Sequence, residues 1–194
     1  MQAVIITAYN QPKQVAELCK KLSGKFEVFL HFDKKTKLTK SEIEMFDMEH
    51  VHFYQLYKVN WGGYKHLLAI LHMIKKAYEY EDISYFHIIS GNDWPIKPIE
   101  EIYNFFEDNN SCHMSCTRLT NLKGKFKNTV HSWQRYYSFL DIFNYKNILQ
   151  KIFVKLFVLF QGFFGVDRIN KLYKDVNIEL SRGLVWGDFP RGGC

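Results

Sequence analysis

Tyr85-Phe-His-Ile-Ile-Ser-Gly-Asn-Asp-Trp-Pro-Ile-Lys-Pro98 decides how the rest of the chain is read. Tyr85 to Ile89 is a short apolar run of aromatic and β-branched residues, which predicts a buried strand. Ser90-Gly91-Asn92-Asp93 ends it with turn residues. Trp94 precedes Pro95 and is pushed out of the α region, so no helix starts there. Pro98 stands just ahead of Ile99 to Phe106, whose apolar spacing is helical. A strand that ends in a small, polar, acidic loop is where α/β sheets hold ligands. The same pattern also suits an ordinary β-turn-α connection.

The stretches before it follow the same alternation. Gln2 to Tyr9 is a continuous apolar run that fits a central parallel strand. Asn10-Gln11-Pro12 stops it, with Asn10 expected to cap a helix carrying Val15, Leu18, Cys19 and Leu22 on one face. Phe26 to Phe32 is a second strand, followed by Asp33-Lys34-Lys35-Thr36, so the chain opens as β-loop-α-β-loop. Ser41 to Met48 is expected to be a short helix capped by Thr39 or Ser41, and Val51 to Tyr57 a third strand. Val59-Asn-Trp-Gly-Gly63 leads into an amphipathic helix whose stripe is Leu67, Leu68, Leu71, Ile74, Ala77 and Tyr78.

After Phe106 the pattern is thinner. Cys112 to Cys116 is expected to be a strand, and the basic stretch 118–130 an exposed loop. Ser132 to Phe139 is aromatic around Arg135. Ile148 to Val166 is strongly apolar and punctuated by lysines. This last stretch fits a membrane-surface helix, and it fits better the more ordinary reading of a core helix or a subunit contact.

The totals narrow the class. The chain has 194 residues, 47% of them hydrophobic and 17% aromatic, so it is globular rather than disordered. A net charge of +6 suits a phosphate-bearing substrate or an anionic surface. The lysines are scattered and no helix-turn-helix, zinc-finger or RNP pattern occurs, so nucleic acid is not an expected partner. Cys19, Cys112, Cys116 and Cys194 are too few and too oddly spaced for a disulfide scaffold. Cys112-His113-x-x-Cys116 could suggest a metal, but no second Cys/His pair stands at zinc spacing, so a reduced structural role is expected of it. Met1 leads directly into a strand, and no stretch reaches the ~20 apolar residues of a spanning helix. The expected location is therefore cytoplasmic, with a peripheral contact at the inner membrane face and self-association both left open.

Ser90-Gly-Asn-Asp-Trp-Pro-Ile-Lys97 resembles the (S/C)-(G/A)-x-D-(F/Y/W)-P-(I/L)-(K/R) signature of the core 2/I-branching N-acetylglucosaminyltransferases and peptide O-xylosyltransferases, glycosyltransferase family 14. Ile5 to Asn10 resembles that family's first strand. Phe29-Leu-His-Phe-Asp-Lys-Lys-Thr36 resembles its (F/I)-x-H-(V/I/F)-D-(K/R)-(K/R)-(S/T) segment, and Trp61-Gly62-Gly63 its W-(G/S)-(G/W) element. Arg182 to Pro190 is similar to its G-S-x-W element, with Leu184 where serine is usual. The four stronger matches occur in family order.

The resemblance implies an α/β fold of GT-A type, a mixed sheet flanked by helices that binds a nucleotide sugar. It implies one domain over 1–194, with a nucleotide-binding half over about 1–106 and an acceptor-side, helical part over about 107–194. Thr7, Ala8, Asn10, Asp33, Lys34, Lys35, Trp61, Gly62 and Gly63 are the implied nucleotide contacts. Asp33 would accept from a uracil or ribose hydroxyl, and the lysines would sit near phosphate. Asp-Lys-Lys-Thr is also an ordinary charged turn. Gly62 and Gly63 also suit a helix-capping turn, with Trp61 anchored in the core. Ser90, Gly91, Asn92, Asp93 and Trp94 form the implied donor/acceptor loop, and Arg135 and Trp186 lie on the acceptor side.

Sugar transfer needs a nucleotide pocket, a base for the acceptor hydroxyl and positive charge for the departing diphosphate. The chain contains no Asp-x-Asp pair to hold a metal, and the resemblance implies metal-independent chemistry with no cofactor. In relatives the base is a glutamate beyond the G-S-x-W element. It is expected past Cys194, so the catalytic base is unassigned here and Asp93 is at most an auxiliary. The expected activity is inverting transfer of N-acetylglucosamine or xylose from a UDP donor to a carbohydrate hydroxyl. The alternative is a non-catalytic sugar-nucleotide or glycan-binding module.

Overall fold

Alternation within the first apolar run places its strand between two layers of helices. In β1 (Gln2–Ala8) Val4, Ile6 and Ala8 face one layer, and Ala3 and Ile5 face the other. β2 (Glu27–Phe32) is buried at every position, as expected of a central parallel strand covered on both faces. The computed structural model describes residues 1–107, 109–118, 135–143, 147–172 and 181–192. The remaining elements are α1 (Pro12–Leu22), α2 (Lys40–Glu44), β3 (Val51–Tyr54), α3 (Tyr64–Ala77), β4 (Tyr85–Ser90), α4 (Ile99–Glu107), β5 (His113–Arg118), α5 (Ile148–Phe163), α6 (Arg168–Leu172) and β6 (Ser181–Pro190).

The chain divides into two compact units. One comprises Met1–Val59, Lys65–Met114 and Leu184–Cys194, and the other Asn60–Tyr64 and Ser115–Gly183. The sheet order is β3-β2-β1-β4-β6-β5. β1 pairs in parallel with β2 and β4, β2 in parallel with β3, and β6 antiparallel with β4 through Tyr85↔Pro190 and Ile88↔Gly187. The sheet is therefore mixed, as expected. One face packs on α1 and α4 through Val15, Leu18, Leu22, Ile102 and Tyr103. The other packs on α3 through Ile70, Met73 and Ala77. With strand order 3-2-1-4, the chain leaves β1 toward one side and returns on the other beside β4. The crevice at such a switch point is where open α/β sheets take ligands.

Several boundaries differ from the sequence expectation. Gln11, not Asn10, is the N-cap of α1; it sits in the left-handed region at φ 52° and makes no side-chain cap bond. The cause is Pro12, which occupies the first helical position and moves the cap to the residue before it. α2 is shorter than expected and is capped by Thr39 in a reciprocal box with Glu42. β3 ends at Tyr54, because the backbone N–H groups of Leu56 and Tyr57 turn to the His31 side chain. The expected strand at 112–116 lies at His113–Arg118. Beyond Arg118, the basic stretch read as a loop lies outside the described residues.

Cys112 is disulfide-bonded, contrary to the reduced role expected of it. Cys19 is free and packed in the core, where burial pushes its thiol up to about 12. Among the described residues, no helix is long and apolar enough to cross a membrane.

Candidate functional site

The carboxyl ends of β1, β2 and β4 are tied together by backbone bonds. The Asp33 N–H donates to the Ala8 carbonyl at 2.8 Å, and the Gly91 N–H to the Thr7 carbonyl at 2.9 Å. The Thr36 hydroxyl donates to the Tyr9 carbonyl at 2.7 Å. Thr7, Ala8, Asp33 and Gly91 are thus brought to one edge, at the switch point between β1 and β4.

Asp33 is the most constrained group there, at 8% exposure. Its Oδ1 accepts from the Lys35 N–H at 2.9 Å and the Val59 N–H at 3.1 Å. Among the described residues, nothing donates to Oδ2. A carboxylate removed from water needs donors for both oxygens, so Oδ2 is suited to a ligand hydroxyl or imide N–H. Gln55 holds the loop from behind, its Nε2 donating to the carbonyls of Asp33 and Thr36 at 3.3 and 2.9 Å. Lys34 and Lys35 project from this loop and are exposed.

His31, two residues before Asp33, is the support that sequence reasoning did not single out. It is 2% exposed. Its Nε2 accepts from the backbone N–H groups of Leu56 at 3.3 Å and Tyr57 at 3.1 Å. The same segment returns a bond to the loop, Lys34 N–H to the Tyr57 carbonyl at 3.0 Å. Burial pushes the His31 imidazole down to about 4, partly opposed by the charge of Asp33. It is therefore neutral near pH 7, with Nε2 an acceptor. The available signal was the spacing of two, which puts His31 and Asp33 on one side of the strand.

His66 on α3 pairs with the Thr7 hydroxyl at 3.1 Å, and burial lowers its pKa. Trp186 on β6 meets its ring edge-on, with centroids 5.8 Å apart. No local pattern in the sequence marks His66, because its partners come from β1 and from β6, more than a hundred residues further on.

In the Ser90–Trp94 loop, Asp93 Oδ2 accepts from the Ser90 N–H at 2.7 Å, and Ser90 Oγ accepts from the Asn92 N–H at 3.1 Å. Asp93 thus braces its own turn with one oxygen. Gly91 is required by packing. A Cβ there would lie 2.7 Å from Ala8 Cβ and 3.0 Å from Val15 Cγ2. Trp94 is half-exposed, with the Lys21 ammonium 5.9 Å from its ring centre. Asn10 is half-buried beside the left-handed Gln11, and such backbone outliers gather at functional loops.

The Trp61–Gly63 element belongs to the second unit. There Asn60 Nδ2 donates to the carbonyls of Leu140 and Asp141 at 2.9 and 3.2 Å, and Asp141 Oδ2 accepts from the Tyr64 N–H at 2.7 Å. Gly62 has φ +72°, and a Cβ on Gly63 would stand 2.6 Å from Asp141 Oδ1. The glycines are explained by this turn at the head of α3. Trp61 is 63% exposed and so is not the core anchor considered above. Arg135, in the same unit, places its Nε 3.0 Å from Asp167 Oδ2. That ion pair is a structural use of the guanidinium.

No curated protein matches the chain. Residues 3–163 match the family described as Core-2/I-Branching enzyme. That span includes all four of the stronger sequence motifs, and the family's GT-A-like fold agrees with the mixed six-stranded sheet. The chain belongs to the Core-2/I-branching enzyme family, glycosyltransferase family 14, whose members are enzymes that move sugars onto glycan acceptors.

Proposed function

We propose that the edge formed by Thr7–Asn10, Asp33–Lys35 and Ser90–Trp94 binds the nucleotide of a UDP-sugar. The sugar, N-acetylglucosamine or xylose, is then passed with inversion to a carbohydrate hydroxyl without a divalent metal. One observation carries the reading: a buried carboxylate at the end of β2, fixed through Oδ1, with Oδ2 left to a ligand. In this reading Oδ2 accepts from a uracil or ribose group, and Lys34 and Lys35 lie toward the diphosphate. Residues over about 1–106 supply most of the nucleotide half, and Trp186 borders the acceptor. Metal independence is supported by the lack of an Asp-x-Asp pair. Asp93 is an orienting group for sugar hydroxyls, and no base is assigned.

Calorimetric titration with UDP tests the reading. A hydrogen bond to a charged group contributes about 1.5–3 kcal/mol, so Asp33→Ala should weaken UDP by roughly tenfold to a hundredfold. Unchanged affinity would remove Asp33 from the site. Transfer assays with UDP-N-acetylglucosamine and UDP-xylose then decide between the donors.

A further inference from the structure

The second unit carries a helix whose apolar side faces away from its own packing. In α5, Val154 and Gln161 are the buried positions. Gln161 fixes the helix rotation, because its amide donates to the Tyr137 carbonyl and accepts from the Tyr137 N–H, both at 2.8 Å. On a 3.6-residue period, Ile148, Leu149, Ile152, Leu156, Leu159 and Phe163 then share an arc of about 100° on another side. All six are exposed, Phe163 at 86% and Leu149 at 77%. Soluble surfaces rarely present so many large apolar groups side by side, and such patches mark interaction sites.

We infer that this face of α5 seats on an anionic lipid surface, with the helix lying in the plane of the interface. The charge pattern selects that occupant. Residues 148–166 contain Lys151 and Lys155 and no aspartate or glutamate. The two lysines are one turn apart and border the apolar arc on one side, as on interfacial helices. The Lys155 stem lies along the acyl boundary while its ammonium group reaches the headgroups. Spanning is excluded for this helix, since 16 residues rise only about 24 Å against a hydrocarbon core of about 30 Å. The inference is independent of the nucleotide site, which lies in the other unit.

The test is co-sedimentation of the full 194-residue chain with phosphatidylcholine vesicles and with vesicles that also contain phosphatidylglycerol. Binding is expected to the anionic vesicles, weaker by roughly tenfold to the neutral ones and reduced by salt. Leu156→Glu with Leu159→Glu should lower it by roughly a hundredfold. Both side chains are exposed, and circular dichroism and a melting curve check that the fold is kept. UDP titration of the same samples separates a failed lipid contact from a failed nucleotide site. Undetectable vesicle binding overturns the proposal, as does binding unchanged in the double variant. So does wild-type self-association that the double variant abolishes in the absence of vesicle binding, which would assign the face to a second copy.

Discussion

Acidification should weaken the fold through His31 in an amount that can be worked out in advance. The imidazole is held neutral inside, at about 4 against an ordinary value of 6.5. A group with a depressed folded value contributes stability that is complete above 6.5 and is lost as pH falls toward 4. The unfolded chain takes up the proton first, so each pH unit costs up to about 1.4 kcal/mol. Integrated from pH 7 to pH 4, the loss is about 3 kcal/mol, a large part of a typical domain's stability. Protonation also puts a hydrogen on Nε2, where Leu56 and Tyr57 already donate. The chain leading to Val59, which donates to Asp33, is released with it, so UDP affinity should fall over the same range. The perturbation that isolates this group is His31→Gln, whose amide oxygen keeps an acceptor near the position of Nε2 but does not titrate. Urea unfolding from pH 7 to pH 4 should show a curve for the variant flatter by close to one proton. A variant curve parallel to the wild type across that range would refute the assignment of His31 as a buried neutral acceptor.

Gly91→Ala forces a methyl to 2.7 Å from Ala8 Cβ, where carbons normally sit at about 3.5–4 Å. Overpacking there should cost roughly 1–3 kcal/mol in a thermal melt and weaken UDP as the β1 and β4 ends move apart; an unchanged melt would show that the loop has room. Glu27, buried at the start of β2, bonds His50 Nδ1 at 2.5 Å and His52 Nε2 at 2.8 Å. Burial raises its carboxyl, but the imidazole bonds outweigh this and hold it below 4.5, while the bond to Glu27 and its charge raise His50 above 6.5. The Glu27 contribution is lost as pH falls below 4.5 and the His50 contribution as pH rises past its raised value. The stability gap between wild type and Glu27→Gln should therefore be widest between pH 4.5 and 6.5, and a gap constant from pH 4 to 8 would contradict the pairing. EDTA should leave UDP affinity almost unchanged, and a large loss restored by Mn²⁺ would overturn the metal-independent reading.

The Tyr85–Pro98 stretch determined its own strand, loop and helix. An apolar run, four turn residues and two prolines act within a few residues of one another. The opening β1-α1-β2 unit and the acidic loop at Asp33 were legible for the same reason, as was the family. Tertiary contacts decided what distant residues supply. β6 lies antiparallel beside β4, where His87 Nδ1 meets Asp188 at 2.8 Å across 101 residues of chain. Trp186 reaches His66 only through that pairing. The glycine turn before α3 was legible locally, but that Asp141 leaves no space for a side chain at Gly63 was not. The helical period of Ile148–Phe163 was visible, but which side turns outward was fixed by the buried bonds between Gln161 and the Tyr137 backbone. Periodicity and turn chemistry report which face of a segment is apolar. Whether that face is covered, and by what, depends on partners that no local window contains.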